Sequence, residues 1–366
     1  MIRKQLARFV HSPAFKHYAR TTVNPVDFRL TPPSNVTPKS VLVFSTPTCL
    51  PSIIQDAIDL HQTNRLQVVV AGIDTMVPFS SRNGVSELWL EQEMKIGTSV
   101  LLEEKDDINK PPRESDGINP VSARKNWKDI TGSVSFKLKN EMEARVTLAN
   151  TVFSSGSIIT LFYFDSKMGL SGQHLCELSL ELPHGVIPRH SRAVVEDHWT
   201  PLYPNESFKI TKCVGNLLKQ VENKPAAKFL EENNSLVSLK SKDTEVYVKV
   251  RKQGTTHVDR FKVVAGGGGW GAKADIIALS AEAQPSVGDL IEFYMVTPQH
   301  RFQPQHDVSK YHDCFALQSS YEETSYGSRL AQEQVFENAF GCGSEKGFFW
   351  NGVGHVSPGE TVFVKM

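Results

Sequence analysis

"VLVFSTPTCLPSIIQDAIDLHQTNRLQVVVAGID", residues 41 to 74, holds three segments of different periodicity. "VLVFSTP" and "LQVVVAGID" are short unbroken apolar runs, the pattern of strands covered on both faces. Between them, "SIIQDAIDLHQ" carries Ile53, Ile54, Ala57, Ile58 and Leu60 at helical spacing. A strand, helix, strand order with two apolar strands predicts a parallel pair, because parallel neighbours need a crossover connection. The chain is therefore expected to be α/β, with mixed sheets.

At 366 residues the chain exceeds one ordinary core, which predicts two packed domains. Downstream of the opening unit, residues 103 to 129 are charged, proline-bearing and without apolar period, and read as a flexible insertion loop. "GSVSFKL", "ARVTLANTVF", "SIITLFYFD" and "LCELSLEL" then predict a mostly antiparallel sheet that completes a first half over 41 to 198. A second α/β half is expected over 199 to 366. It opens with a strand turning at Gly215-Asn216, an edge "LLKQVE" turning at Asn223-Lys224, and a helix start at "PAAKFLEE" with proline in the first turn. Strands "EVYVKVRK", "FKVVA", "IIALS" and "DLIEFYMV" follow, then a helix over "GSRLAQEQVFENAF" and strands in "GFFWNGVG" and "TVFVKM". No short repeat period is present, which excludes solenoids and propellers.

Upstream, "MIRKQLARFVHSPAFKHYARTT" is basic, free of acidic residues and interleaved with Leu6, Phe9 and Val10. Residues 1 to 22 read as a mitochondrial presequence, and 23 to 40, rich in proline, as an extended linker, with structure expected to begin near Val41. A solvated basic tail is the alternative. The full chain balances 40 basic against 40 acidic residues, which argues against a nucleic-acid binder relying on bulk charge. No apolar run reaches the ~18 residues of a membrane helix, so the mature protein is expected to be soluble, in the matrix if the presequence reading holds. The five cysteines are far apart, without a C-x-x-C pair, and read as buried free thiols.

"WTPLYPNESFKITKCVGNLLKQVENKPAAKFLEE", 199 to 232, resembles the junction of the F-box and intracellular signal transduction (FIST) domain, where a tryptophan-proline stretch leads to a strand, a Gly-Asn turn, a hairpin and a Pro-Ala helix start. "VVVAGID", "SVGDLIEFYMV" and "GFFWNGVGHVSPGE" agree with that family in order. No F-box precedes the resemblance. It implies two packed halves and small-ligand sensing, with amino acids as the suggested class, and supplies no catalytic residues.

Polar breaks at the ends of apolar strands are the candidate ligand-lining positions. After "VVVAGID", Asp74 offers an anchor for an amine and Ser81, Arg82 and Asn83 offer donors for a carboxylate; a solvated Arg-Asn-Gly turn is the alternative. In "VVAGGGGWGAK", Gly267, Gly268 and Gly269 present bare backbone, Trp270 a wall and Lys273 a counter-charge. Here too a Gly-rich turn is the structural alternative. Gly266, Gly268 and Gly271 satisfy G-x-G-x-x-G, so a dinucleotide-dependent oxidoreductase stays open, provided that a helix follows. A Walker A motif is excluded because Ala272 holds the lysine position. Asn351 in the closing turn completes the candidate lining. A third class is a mitochondrial assembly factor with Trp270, Phe348, Phe349 and Trp350 as exposed aromatic anchors. No catalytic or metal-ligating set stands out, and no cofactor is specified by sequence.

Overall fold

The structure is a computed structural model describing residues 17–102, 131–138, 141–167, 172–239, 243–255, 258–266, 275–302, 307–321 and 332–366. The first stretch of chain contributes nine strands: β1 (His17–Val23), β2 (Ser40–Ser45), β3 (Gln67–Gly72), β4 (Gly84–Leu90), β5 (Lys95–Leu101), β6 (Ser133–Lys137), β7 (Glu143–Thr147), β8 (Leu161–Phe164) and β9 (Gln173–Glu181). β10 (Ala193–Glu196) follows. The middle of the chain gives β11 (Thr200–Pro201), β12 (Phe208–Val214), β13 (Leu217–Val221), β14 (Lys224–Pro225), β15 (Glu245–Arg251), β16 (Val258–Gly266), β17 (Ile277–Leu279) and β18 (Leu290–Val296). The end gives β19 (Cys314–Ser319), β20 (Gln334–Glu337), β21 (Ala339–Ser344), β22 (Phe348–Trp350), β23 (Val353–His355) and β24 (Thr361–Lys365).

The opening unit folds as its periodicity requires. β2 and β3 pair in parallel, and α1 (Leu50–Asn64) connects them. Both strands are buried on both faces by alternation. Val41, Val43, Val68 and Val70 meet Leu50, Ile53, Ala57 and Leu60 of α1, while Leu42, Phe44, Val69 and Ala71 meet a second sheet. Full burial of a Leu or Ile contributes about 1.5–3 kcal/mol, so this helix face carries most of the docking. α1 ends at Arg65, whose left-handed backbone returns its N–H to the His61 carbonyl at 2.9 Å.

The second sheet runs β10-β24-β19-β21, with β19 and β21 parallel. Its Phe315, Leu317, Phe340, Cys342, Val362 and Val364 fill the largest core together with the first sheet. The first sheet itself ends in strands from the far end of the chain, β20 beside β1 and the β22–β23 hairpin beside β7. Residues 314–366 thus belong to the same layered body as residues 17–196, and the boundary at 198/199 does not divide the sheets.

Between them lies a closed antiparallel barrel. β18, β12, β13, β17, β16 and β15 pair in that order, and β15 returns to β18. Leu202, Ile210, Leu218, Val248, Ile277 and Phe293 belong to its separate core, as a small barrel requires. The class is mixed α/β, but its long helix sits in the body; the barrel strands are accompanied by the short helices Lys228–Glu231, Asn234–Leu239 and Pro298–Phe302.

Three sequence expectations change. β1 occupies residues assigned to the presequence, paired on one side with β4 and on the other with β20, so a cut after Thr22 would remove six of its seven residues. The segment expected to be a helix over 327–340 contributes β20 and the start of β21 instead; its first residues, to 331, lie outside the described residues. The turn after β13 is centred on Glu222 and Asn223, both left-handed, one residue earlier than expected. The insertion loop at 103–129 also lies outside the described residues.

Candidate functional site

Asp74, Ser81, Arg82 and Asn83 lie in the loop between β3 and β4, and their polar groups are bonded to the protein itself. Asp74 Oδ2 accepts from Glu345 N at 2.9 Å and from Ser344 Oγ at 3.2 Å. Burial nevertheless pushes its carboxyl up, against those two bonds. Arg82 pairs with Glu345 at 2.6 Å on the surface. Ser81 Oγ donates to Asn24 Oδ1 at 3.2 Å, and Asn83 Oδ1 accepts from Thr48 Oγ1 and Cys49 Sγ. Backbone bonds between Thr75 and Gly343, at 2.8 and 3.1 Å, clip the loop onto β21. The structure thus brings Asp74 and Arg82 together on Ser344–Glu345. Asn351 sits elsewhere, its Oδ1 accepting from Glu143 N at 2.9 Å.

Gly267, Gly268, Gly269, Trp270 and Lys273 lie outside the described residues. Their flanks are described. β16 and β17 pair antiparallel, with Gly266 opposite Ile277. A strand therefore stands where a dinucleotide fold needs a helix, and the oxidoreductase reading loses its structural premise. The aromatic anchors also change: Phe348 and Trp350 are buried, whereas Phe349 is exposed and has the Arg145 guanidinium 4.2 Å above its ring.

A different cluster forms where the barrel meets the layered body. Val248 and Val250 of β15 belong to the barrel core, so the two-residue period puts Glu245, Tyr247 and Lys249 on the outer face. Arg260 and Lys262 of β16 and Glu292 and Tyr294 of β18 share that face. Register sets Lys249 opposite both Arg260 and Glu292, and Tyr247 opposite both Lys262 and Tyr294.

Asp197, His198 and Trp199, between β10 and β11, close over this face. The Trp199 ring stacks on Tyr247 at 4.9 Å and lies under the Arg260 guanidinium at 4.0 Å. Its Nε1 donates to Ser357 Oγ at 2.7 Å. Arg260 bonds Asp197 Oδ2 at 2.7 Å and also Glu360, which is buried and accepts from Ser357 N at 2.9 Å. The buried Arg260 Nε has no acceptor among the described residues.

His198 stacks on His300, of the short helix Pro298–Phe302, with ring centroids 5.2 Å apart. His198 Nε2 and the Tyr321 hydroxyl are 2.9 Å apart. Burial, then the neighbouring His300, lowers the His198 pKa, and burial pushes the Tyr321 phenol up to about 12. His300 Nδ1 is buried without a partner among the described residues. Two orphaned ring or guanidinium nitrogens in one seam are unusual, because buried polar groups are nearly always satisfied.

No sequence motif joins Asp197 and His198 to Arg260 or His300, which lie tens of residues away. The missed signal was the composition of the outer strand faces: Tyr247 and Tyr294 alternate with charges there, whereas a solvated face needs no aromatic residues. No cluster of three or more His, Cys, Asp or Glu among the described residues is arranged to hold a metal ion. No helix of the described residues is long and apolar enough to cross a membrane. No family model, curated protein or solved structure matches the chain.

Proposed function

We propose that this protein is a FIST-like sensor that binds a small anionic or zwitterionic metabolite, such as an amino acid, in the seam between barrel and body. The observation that carries the reading is the Arg260 guanidinium: held through one terminal nitrogen by both Asp197 and Glu360, stacked on Trp199, and left with a buried Nε–H lacking an acceptor among the described residues. A ligand carboxylate would take that N–H in a charge-assisted bond, a net gain of about 1.5–3 kcal/mol. His300 Nδ1, on the ring stacked against His198, is a second buried polar atom of the seam without a partner among the described residues. The surrounding charges balance, with Asp197, Glu245, Glu292 and Glu360 against Lys249, Arg260, Lys262 and Arg301, which suits a zwitterion better than a multiply charged anion. Recognition here is electrostatic, with no covalent chemistry required.

Mitochondrial delivery belongs to the same proposal and rests on the basic composition of residues 1–16. Any processing that preserves the fold must fall before His17, because β1 is an interior strand of the sheet.

The test is a thermal-shift screen of the full chain against amino acids, monocarboxylates and nicotinamide dinucleotides, in wild type and Arg260→Lys. The substitution keeps the charge and removes the Nε donor. Stabilisation by an amino acid or monocarboxylate that is lost in the variant is expected; ligand at 100 times its Kd adds about 2.7 kcal/mol. Stabilisation by dinucleotides alone, or a shift unchanged in Arg260→Lys, would overturn the proposal.

A further inference from the structure

Among the described lysines, Lys249 alone has its amine over aromatic rings. Lys249 Nζ makes no hydrogen bond or ion pair among the described residues; it lies 4.3 Å above the Tyr294 ring and 5.5 Å from that of Trp199. Cross-strand register places Arg260 directly beside it. Surface lysines such as Lys95 and Lys310 instead hold Glu181 at 2.8 Å and Glu196 at 2.7 Å. A half-buried amine without a carboxylate partner, next to a fixed guanidinium, has the surroundings that turn a lysine into a nucleophile.

We propose that Lys249 captures small carbonyl compounds bearing a carboxylate, such as 2-oxo acids, as an imine. This rests on the seam being the ligand site. The unprotonated Nζ adds its lone pair to the carbonyl carbon, and the amine proton passes to the carbonyl oxygen, giving a carbinolamine. Loss of that hydroxyl with the second amine proton, as water, leaves a carbon–nitrogen double bond. Nothing is oxidised or reduced, and hydrolysis reverses the step. Arg260 takes the carboxylate through its open Nε–H. Burial, then Arg260, lowers the Lys249 pKa, which enlarges the neutral fraction at neutral pH. The groups facing it with opposite effect, Asp197, Glu292 and Glu360, do not outweigh those two.

The experiment incubates the full chain with glyoxylate and sodium cyanoborohydride, which reduces the imine to a stable secondary amine, and maps the adduct by peptide mass spectrometry. Lys249 should be labelled before the solvated Lys95 and Lys310, and the early adduct should be lost in Lys249→Met and Lys249→Arg. Acetaldehyde, lacking the carboxylate, should label Lys249 less selectively. Labelling spread evenly over the lysines of the wild-type chain would overturn the proposal without recourse to any variant. A thermal shift lost in Arg260→Lys together with even labelling would leave reversible binding standing and remove the imine. Selective Lys249 labelling without any thermal shift would do the reverse.

Discussion

Arg260 and His198 are the residues on which the seam turns, and each has a measurable signature. Arg260→Met would leave Glu360, fully buried, and Asp197 without their cation. Breaking such a pair from one side costs about 3–5 kcal/mol, readable as a lower denaturation midpoint in urea. Retained stability in that variant would mean that the ion pairs are loose. For His198 the sign follows from its lowered pKa, caused by burial and then His300. The folded state resists the imidazolium, so the stability linked to neutral His198 is present above the unfolded value of about 6.5 and is lost as pH falls below it. The carboxyls of Asp74 and Glu87, both raised by burial, act in the opposite sense, so the comparison must be made within one background. The melting temperature of His198→Gln should fall less than that of wild type between pH 7.5 and 5.5; parallel curves would contradict the assignment.

At the scale of elements, what was legible follows local pattern. β2, α1 and β3 were readable because an unbroken valine run, a helical repeat and a second run adjoin one another. The β12–β13 hairpin was readable because Gly215, with φ of +57°, marks its turn. What was not legible depends on distant partners. The strong helix formers of the expected helix lie mainly before residue 334, and residues 334–340, which include Val335, Phe336 and Phe340, form strands by pairing with β1 and β19. His17 to Thr22 has presequence composition, yet Arg20 reaches the buried Glu87 at 2.6 Å, and Thr21 Oγ1 is 2.8 Å from Ser86 Oγ. Two predictions follow from these strands. Deleting residues 1–16 should leave the melting temperature near wild type, whereas deleting 1–22 leaves Glu87 without its arginine and should cost at least about 3–5 kcal/mol; equal stability of the two truncations would contradict the role of β1. In β21, a Cβ at Gly341 would stand 2.2 Å from the Ala316 carbonyl oxygen on β19. Gly341→Ala should therefore destabilise by about 1–3 kcal/mol in chemical denaturation, and a neutral effect would mean that β19 and β21 separate easily.

The whole molecule is a layered body with a barrel between two parts of its chain. Each has its own core, so the surface where they meet was free to be polar. That seam holds the orphaned Arg260 Nε and His300 Nδ1, the stacked histidines and Lys249. Few of these were visible as candidates in the sequence, because Asp197, Arg260, His300 and Glu360 are separated by tens of residues and meet only after the barrel closes. The most direct measurement is a crystal structure of the full chain with the strongest amino-acid or monocarboxylate hit. Ligand bonded to Arg260 Nε in the seam is the predicted result. Ligand bound at the β3–β4 loop or elsewhere, with the seam unchanged, would contradict it.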